Sequence, residues 1–442
     1  MNTRQRLFVM MVLEFFIWGA WLPLIFGYLP SLGFSPGQQS LILNAFPVAS
    51  IVGMFFSNQW ADRSASPERV LALSHVIGGL AILGCGFTRD FLPFFLLMLV
   101  HCLLYVPTIS ITNSIAFANM KNPDREFGFV RMGGTIGWIL AAWPFTFIFV
   151  NWAAVDAAHP MGLVNWLGTA LANPLTGDAA KAATRWTFIV AGLASLALAA
   201  FSLMLPRTAP KTGDAGRTGV DVRRSSWAEA FGLLKHPFIL MLWLVTLVDS
   251  FVHNCYFNWT GVFLGATREA GGVGIASNWI TPIMSIGQVT EILTMFILGA
   301  TLTKLGWRVT MIVGILGHAA RFAVYALFPA SAGMIIGVQM LHGICYAFFF
   351  ATVYIFVDAH SPKDIRASAQ GLFNLQILGI GAFLANSICP WLIQSVYTSG
   401  GVTDFRGLFM VPLAAASIAA IGLALFFRPP TSGPAQAMEQ RA

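Results

Sequence analysis

The 442-residue sequence predicts an all-α integral membrane protein with twelve transmembrane helices. Two observations support this fold class. First, 57% of the residues are hydrophobic and only 10% are charged, whereas a soluble protein of this length carries about a quarter charged residues on its hydrated surface. Second, the chain divides into apolar runs, and each is long enough for the roughly 20 residues that a helix needs to cross the hydrocarbon layer.

These runs define the spans, which we number 1 to 12 in chain order. The first run is far longer than the core of a signal peptide and lacks a small-residue cleavage site, so we expect it to be retained as a span. The predicted spans lie at 7–30, 40–60, 69–87, 91–117, 131–150, 186–205, 238–264, 277–300, 308–328, 332–357, 367–395 and 404–427.

A polar, basic stretch divides the chain after the sixth span. It is rich in Gly, Pro, Ser and Thr, which predicts a cytoplasmic linker rather than a further span. Two halves of six spans around such a loop are typical of secondary transporters. The predicted units are an N-terminal half (1–205), the linker (206–237), a C-terminal half (238–428) and a cytoplasmic tail (429–442).

The net charge of +7 reports topology rather than nucleic-acid binding. With the N-terminus inside, nineteen Lys and Arg residues lie at predicted cytoplasmic ends and loops, and five lie on the opposite side. This is the positive-inside bias of a multi-pass inner-membrane protein. We therefore expect both termini in the cytoplasm and no nucleic-acid partner.

The chain carries no pattern typical of an enzyme. It has no phosphate loop, no His/Cys cluster at metal-ligand spacing and no nucleophile elbow. All five cysteines fall within predicted spans without a paired motif, so we expect small packed core residues rather than disulfides or metal ligands.

Span 8 contains the most informative ionisable residue. In SIGQVTEILTMF (285–296), Gln288 and Glu291 are three residues apart and share one helix face. Lipid satisfies neither an amide nor a carboxylate, so this face is expected to line a cavity. A carboxylate there can take a proton on one side of the membrane and release it on the other. The alternative is a structural Glu bonded to a neighbouring span.

Spans 1, 5 and 7 supply further candidates. Glu14 of span 1 is a second candidate for proton coupling. In RMGGTIGW, Arg131, Thr135 and Trp138 place a cation, a hydroxyl and a ring on one face of span 5, although Arg131 at a helix end is equally explained by snorkelling to the interface. The glycines of this string favour close helix packing. On span 7, Asp249 and His253 are four residues apart, so we expect them to pair with each other.

Five strings together resemble one family, the nucleoside:proton symporters of the major facilitator superfamily. They occur in family order and over most of the chain: EFFIWGAWLP in span 1, YVPTISITNSIAF (105–117), RMGGTIGW (131–138), MSIGQVTE (284–291) and IRASAQG (365–371). The resemblance implies that superfamily's fold and proton-coupled uptake of nucleosides by alternating access. The proton gradient would supply the energy, with no cofactor.

The resemblance also implies roles for individual residues. Arg131 and Thr135 fall at nucleoside-binding positions, and Trp138 falls where an aromatic ring contacts the base. Gln288 and Glu291 match a Gln and a Glu that engage the sugar or base, with the Glu implicated in proton coupling.

Spans 7 and 10 depart from the family pattern. In span 7, Asn254 is the best match to a family Gln. In span 10, His342 and Tyr346 match an aromatic pair, but Ala347 stands where an acid is expected. Glu14 stands where the family tends to have Gln, and we infer that a carboxylate has moved from span 10 to span 1. These departures keep open an alternative, a symporter or facilitator for a sugar, glycoside or other neutral polyhydroxylated solute. We expect a monomer.

Overall fold

The computed structural model describes residues 1–61, 66–120, 123–207, 230–361 and 366–429. Within these residues, nine helical stretches are long and apolar enough to cross a membrane. Their bounds are Thr3–Ser31, Pro67–Cys85, Phe91–Asn119, Gly177–Ser202, Pro237–Gly265, Ser277–Leu327, Ala332–His360, Ser368–Val396 and Phe405–Phe426.

Three interruptions account for the remaining predicted spans. The helix Ile280–Leu327 contains Gly306 at φ 70°, so it is two helices joined at a kink, spans 8 and 9. Span 2 is Pro36–Leu43 followed by Ala45–Ala61, and span 5 is Pro123–Ala142 followed by Pro144–Ile148. In span 5, Pro144 opens the second helix, where its missing N–H costs nothing. The prediction of twelve spans is confirmed.

Spans 10 and 11 are irregular helices. Span 10 passes through Ala332–Gly337, a 3₁₀ turn, Leu341–Cys345, the π-helical segment Tyr346–Ala351 and Thr352–His360. Span 11 passes through Arg366–Asn374, the π segment Leu375–Ile380, Gly381–Trp391 and the π segment Leu392–Val396. Such π segments in helices are frequent at functional sites.

The connections add small elements that the sequence did not predict. Between spans 5 and 6 lie the short helices Trp152–Ala157, Leu163–Ala172 and Gly177–Ala183. A two-stranded antiparallel sheet, Thr398–Ser399 with Val402–Thr403, joins spans 11 and 12. The remaining 3₁₀ turns are Leu233–Lys235, Ser277–Trp279 and Val338–Met340.

The spans enclose two large hydrophobic cores. One is formed by residues between Leu7 and Leu205 and the other by residues between Leu233 and Phe427. This pattern agrees with the predicted halves 1–205 and 238–428, whose boundaries stay predictions. Most of the predicted linker and tail, residues 208–229 and 430–442, lies outside the described residues. All five cysteines are buried and free, as predicted.

The halves are joined by hydrogen bonds at the end of the bundle remote from the termini. Asn44 Nδ2 donates to Ser387 Oγ at 2.8 Å, and Asn386 Nδ2 donates to the Leu43 carbonyl at 3.0 Å. Gln394 Nε2 donates to Gln39 Oε1 at 2.8 Å. The helix Leu163–Ala172 reaches the other half here as well, since its Leu171 carbonyl accepts from Asn278 Nδ2 at 3.2 Å. We call this end the sealed end.

Candidate functional site

A small cleft lies between the halves where spans 1 and 5 face spans 7 and 8. It contains about 260 Å³ of space not occupied by atoms. Its wall is aromatic and apolar with a few polar groups, the usual character of a small-molecule site. Its lining includes Trp138, Tyr256, Phe257, Met284, Ser285 and Gln288.

Span 8 directs its predicted face into this cleft. Thr281, Met284 and Gln288 all line it, at the helical spacing read from the sequence. The Thr281 hydroxyl donates to the Ala142 carbonyl of span 5 at 3.1 Å and so fixes span 8 against the other half. Gln288 is 6% exposed, and its Oε1 is buried without a hydrogen-bond partner among the described residues.

Glu291 continues this face by one turn and lies half-buried. It forms no ion pair or hydrogen bond with the described residues. The Arg131 guanidinium of span 5, from the other half, is near enough to act electrostatically on its carboxylate. Both charges also act on the Tyr346 phenol of span 10. A cation and an anion thus face each other across the interface between the halves.

Close helix packing positions both charges. On span 5, the backbone of Gly137 lies against that of Val12 in span 1, where a Cβ would collide. The Arg131 guanidinium stacks over the Phe15 ring of span 1 at 4.3 Å. It is therefore directed along span 1 into the protein. Snorkelling to the interface does not describe it.

Trp138 forms one wall of the cleft. Its ring meets Trp18 edge-on at 5.3 Å and Phe257 of span 7 at 6.1 Å. Thr135 lies half-buried on the preceding turn. The predicted face of Arg131, Thr135 and Trp138 therefore lies beside span 8.

Span 10 brings His342 and Tyr346 next to the cleft wall. His342 is buried, and its ring packs against Tyr256 at 4.7 Å and Phe257 at 5.8 Å. Its Nδ1 accepts a hydrogen bond from Arg321 Nη1 at 2.9 Å, because a guanidinium can only donate. His342 is thus held behind the aromatic wall.

Asn254 is less well placed than predicted. Its Nδ2 donates to the Ser250 carbonyl of its own span at 2.8 Å. The described contacts do not join it to Gln288 or Glu291. It is half-buried, and its role stays a prediction.

Glu14 lies inside the N-terminal half rather than at the cleft. Its Oε2 lies 3.1 Å from His75 Nε2, and its Oε1 accepts the Thr108 hydroxyl at 2.8 Å. His75 Nδ1 in turn bonds Ser195 Oγ at 2.9 Å. The carboxylate is fully buried and both of its oxygens have partners.

The expected pairing of Asp249 with His253 is wrong. Asp249 Oδ1 bonds His318 Nδ1 of span 9 at 2.8 Å, and His253 Nδ1 contacts the opposite nitrogen of the His318 ring at 3.4 Å. His318 thus lies between the two span 7 residues. Spacing along one helix could not reveal this partner on another.

Ala347 lies in a small apolar cluster with Leu298, Phe348 and Ala351. Arg321 is fully buried over the Tyr256 ring at 4.0 Å and forms no ion pair with the described residues. Sequence reasoning missed Tyr256, whose ring links this cation to the cleft. In the sequence, Tyr256 is distinguished only as an aromatic residue two positions after Asn254 in span 7.

A second cavity, outside the cleft, has no assigned function. It lies between the halves nearer the sealed end and has about 560 Å³ of space not occupied by atoms, open solvent included. Its lining in the described part of the chain includes Gln39, Asn258 and Gln394 and has no charged side chain. Among the described residues, no group of three His, Cys, Asp or Glu side chains could hold a metal ion.

Comparison with known proteins agrees with this architecture. The sequence profile described as nucleoside H⁺ symporter matches residues 1–171 and 159–432. The putative nucleoside transporter YegT of Escherichia coli (strain K12) is 28% identical over 97% of this chain and 94% of its own length. The xanthosine permease of the same organism is 24% identical over 93% and 92%.

A crystal structure of the nucleoside transporter NupG superposes with a TM-score of 0.78, at 22% identity, over 97% of this chain and 100% of the other. That likeness confirms the major facilitator superfamily fold, and these relatives are transporters rather than enzymes. The family profile spans almost the entire described chain. This membrane protein therefore belongs to the nucleoside:H⁺ symporter family, which couples nucleoside uptake to protons.

Proposed function

We propose that this chain binds a nucleoside in the cleft between its halves and carries it inward with a proton bound at Glu291. Rocking of the halves exposes the cleft to each side in turn. One observation supports this proposal most directly. The unpartnered oxygen of Gln288 and the opposite charges of Arg131 and Glu291 lie at the same interface among the described residues.

The cleft chemistry suits a flat, neutral, polyhydroxylated ligand. The unpartnered Oε1 of Gln288 offers an acceptor to a hydroxyl or a base N–H. Arg131 and Thr135 offer donors, and Trp138 and Tyr346 offer ring faces for a base. His342 supports the wall against which the base packs. Asn254 provides a further hydrogen-bonding group for the ligand.

Proton binding at Glu291 changes the interface electrostatically. The ionised carboxylate attracts Arg131 across the two halves, and the protonated one does not. Protonation thus removes this attraction and lowers the electrostatic work of separating the halves. Glu14 is proposed as a second coupling carboxylate, because it is ionisable and buried beside His75.

We further propose a monomer in the inner membrane with both termini in the cytoplasm. The positive-inside bias supports this orientation. The sealed end then faces the periplasm, and the cleft communicates with the cytoplasm. A sugar or glycoside as substrate is not favoured, because the family profile is that of nucleoside symporters.

The first experiment measures uptake of radiolabelled uridine and adenosine into cells that express the protein, with and without a protonophore. Accumulation that the protonophore abolishes is the expected result. Absence of uptake of both nucleosides, with the protein present in the membrane, would contradict the proposal. Competition by free sugars but not by nucleosides would transfer it to the alternative substrate class.

Glu291→Gln is expected to abolish accumulation above the outside concentration while nucleoside exchange persists. The amide keeps the size of the side chain but cannot bind and release a proton. Glu269→Gln, on the exposed connection before span 8, is the matched control for loss of one carboxylate. Wild-type accumulation by Glu291→Gln would contradict its role. Glu14→Gln in the same assay tests the second carboxylate independently.

A further inference from the structure

Three ionisable side chains form a continuous chain inside the C-terminal half. Asp249 Oδ1 lies 2.8 Å from His318 Nδ1, and His318 Nε2 lies 3.4 Å from His253 Nδ1. Asp249 and His318 are fully buried, whereas His253 is half-buried. The chain therefore runs from an enclosed carboxylate towards an accessible imidazole.

The donors and acceptors of this chain leave one mobile proton position. A carboxylate only accepts, so His318 Nδ1 carries the hydrogen that it shares with Asp249. The contact between His318 Nε2 and His253 Nδ1 then holds one hydrogen, which belongs to either ring. The second ring nitrogen of His253 has no hydrogen-bond partner among the described residues and is not enclosed by them.

From this geometry we propose that His318 and Asp249 form a proton-storage site, loaded through His253, that is separate from Glu291. The inference rests on the proposed function, because a stored proton matters only in a proton-coupled carrier. It gives the transport cycle a second protonation site, in the C-terminal half.

The loading step conserves protons. A proton binds His253 Nε2, and the hydrogen on His253 Nδ1 moves to His318 Nε2. His253 is left neutral with its hydrogen on Nε2, and His318 becomes an imidazolium beside the Asp249 carboxylate. Unloading is the same step reversed, once the cleft has opened to the other side.

The groups around His318 and Asp249 differ in their effect on a proton stored there. Asp249 of span 7 favours the imidazolium. Arg321 on span 9 is a buried cation that acts on the neighbouring His253 and His342. Cys345 of span 10 adjoins His318. Asp249 is thus the residue that makes storage possible, and its Oδ2 is buried without a partner.

Ring contacts join the storage site to the substrate cleft. His253 stacks on His342 at 5.1 Å and meets Phe257 of the cleft wall edge-on at 5.3 Å. A base that displaces Phe257 would also move His253. Because the His253–His318 contact is already long for a hydrogen bond, a small displacement makes or breaks the proton path.

The first test measures protonation directly. The purified full-length protein, labelled with ¹⁵N-histidine, is titrated by NMR, and the His318 signals are identified by their absence in His318→Gln. The expected result is a doubly protonated His318 that persists to higher pH in the wild type than in Asp249→Asn. His318 signals that do not respond to Asp249→Asn would overturn the proposal. Wild-type chemical shifts of His75 and His101, which lie in the other half, show that the variants are folded.

The second test counts protons per nucleoside in proteoliposomes, from the membrane potential that balances a fixed nucleoside gradient. His318→Gln and Asp249→Asn are expected to lower the ratio equally, whereas His101→Gln leaves it unchanged. His101 is a matched control, because it is buried but bonds only the Gly78 carbonyl at 3.0 Å. A wild-type ratio in both variants would overturn the inference and leave the proposed function intact. A wild type that moves no protons with nucleosides would instead overturn the proposed function.

Discussion

Gln288 leaves a buried carbonyl oxygen without a partner in a wall of rings. An unsatisfied buried polar group costs about 1–3 kcal/mol. A ligand that donates to this oxygen removes that cost, so the residue selects for hydroxyl- or N–H-bearing ligands rather than apolar ones. The strong rejection of analogues that lack such a group follows from the same reasoning.

We expect Gln288→Leu to weaken nucleoside binding about tenfold, the effect of roughly 1.4 kcal/mol from one lost hydrogen bond. The measurement is the half-saturating concentration for nucleoside exchange. Val289→Ala, next in sequence but on the exposed side of span 8, is the matched control. Equal affinities for Gln288→Leu and the wild type would remove Gln288 from the site.

The residues of span 8 could be predicted because their information is local. Gln288 and Glu291 share a face through helical spacing alone, and the structure places that face at the cleft and the interface. The partner of Asp249 could not be predicted, since His318 is 69 residues away in sequence. The enclosure of Glu14 by His75 and Thr108 could not be predicted for the same reason, because both partners are distant from it in sequence.

Spans 8 and 10 cross in close contact beside Glu291. The backbone of Gly343 lies against the backbone of Thr290 and Glu291, so a Cβ at position 343 has no room. One turn away, His342 packs against Gly287. The position of Glu291, the proposed coupling carboxylate, thus depends on how closely these two helices approach.

We expect Gly343→Ala to reduce accumulation severely, because the added methyl group pushes span 10 away from Glu291. Gly337→Ala is the control, since it adds the same group to the same span at a position with open space. In an α-helix, alanine is favoured over glycine by about 1 kcal/mol, so a loss confined to Gly343→Ala reports the helix contact. The measurement is initial uptake rate at equal protein amount. Equal rates in the two variants would contradict the expectation.

The spans themselves were predictable because hydrophobic length is a property of each segment. The π segments of spans 10 and 11 and the short helices between spans 5 and 6 were not. Beside the short helices, for example, Ser277 Oγ donates to the Leu175 carbonyl, and these two residues meet only in the fold. Hydropathy carries no information about such contacts.

The whole molecule is closed at one end by hydrogen bonds between its halves. Spans 2 and 11 meet there through Asn44, Ser387 and Asn386. Alternating access requires these contacts to break once in each cycle. A covalent link across them would hold the molecule in a single state.

We expect the double variant Asn44→Cys/Ser387→Cys to stop transporting when a short, reducible thiol cross-linker joins the two positions. Reductant should restore transport. The native side chains lie 2.8 Å apart, so the replacements are within reach. The single variants treated in the same way are the controls, and the five native cysteines are buried. Full transport by cross-linked protein would show that this end does not open.

The bonds at the sealed end described here join uncharged groups: amides, hydroxyls and backbone carbonyls. Neither acidification nor added salt changes the charge of such groups or screens their attraction. The hydrogen bonds that close the sealed end therefore do not respond to the proton gradient that drives transport. The proposed trigger, Glu291 with Arg131 on the opposite half, lies deeper in the protein, so a carrier with weakened hydrogen bonds at the sealed end should leak substrate without losing its sensitivity to protons.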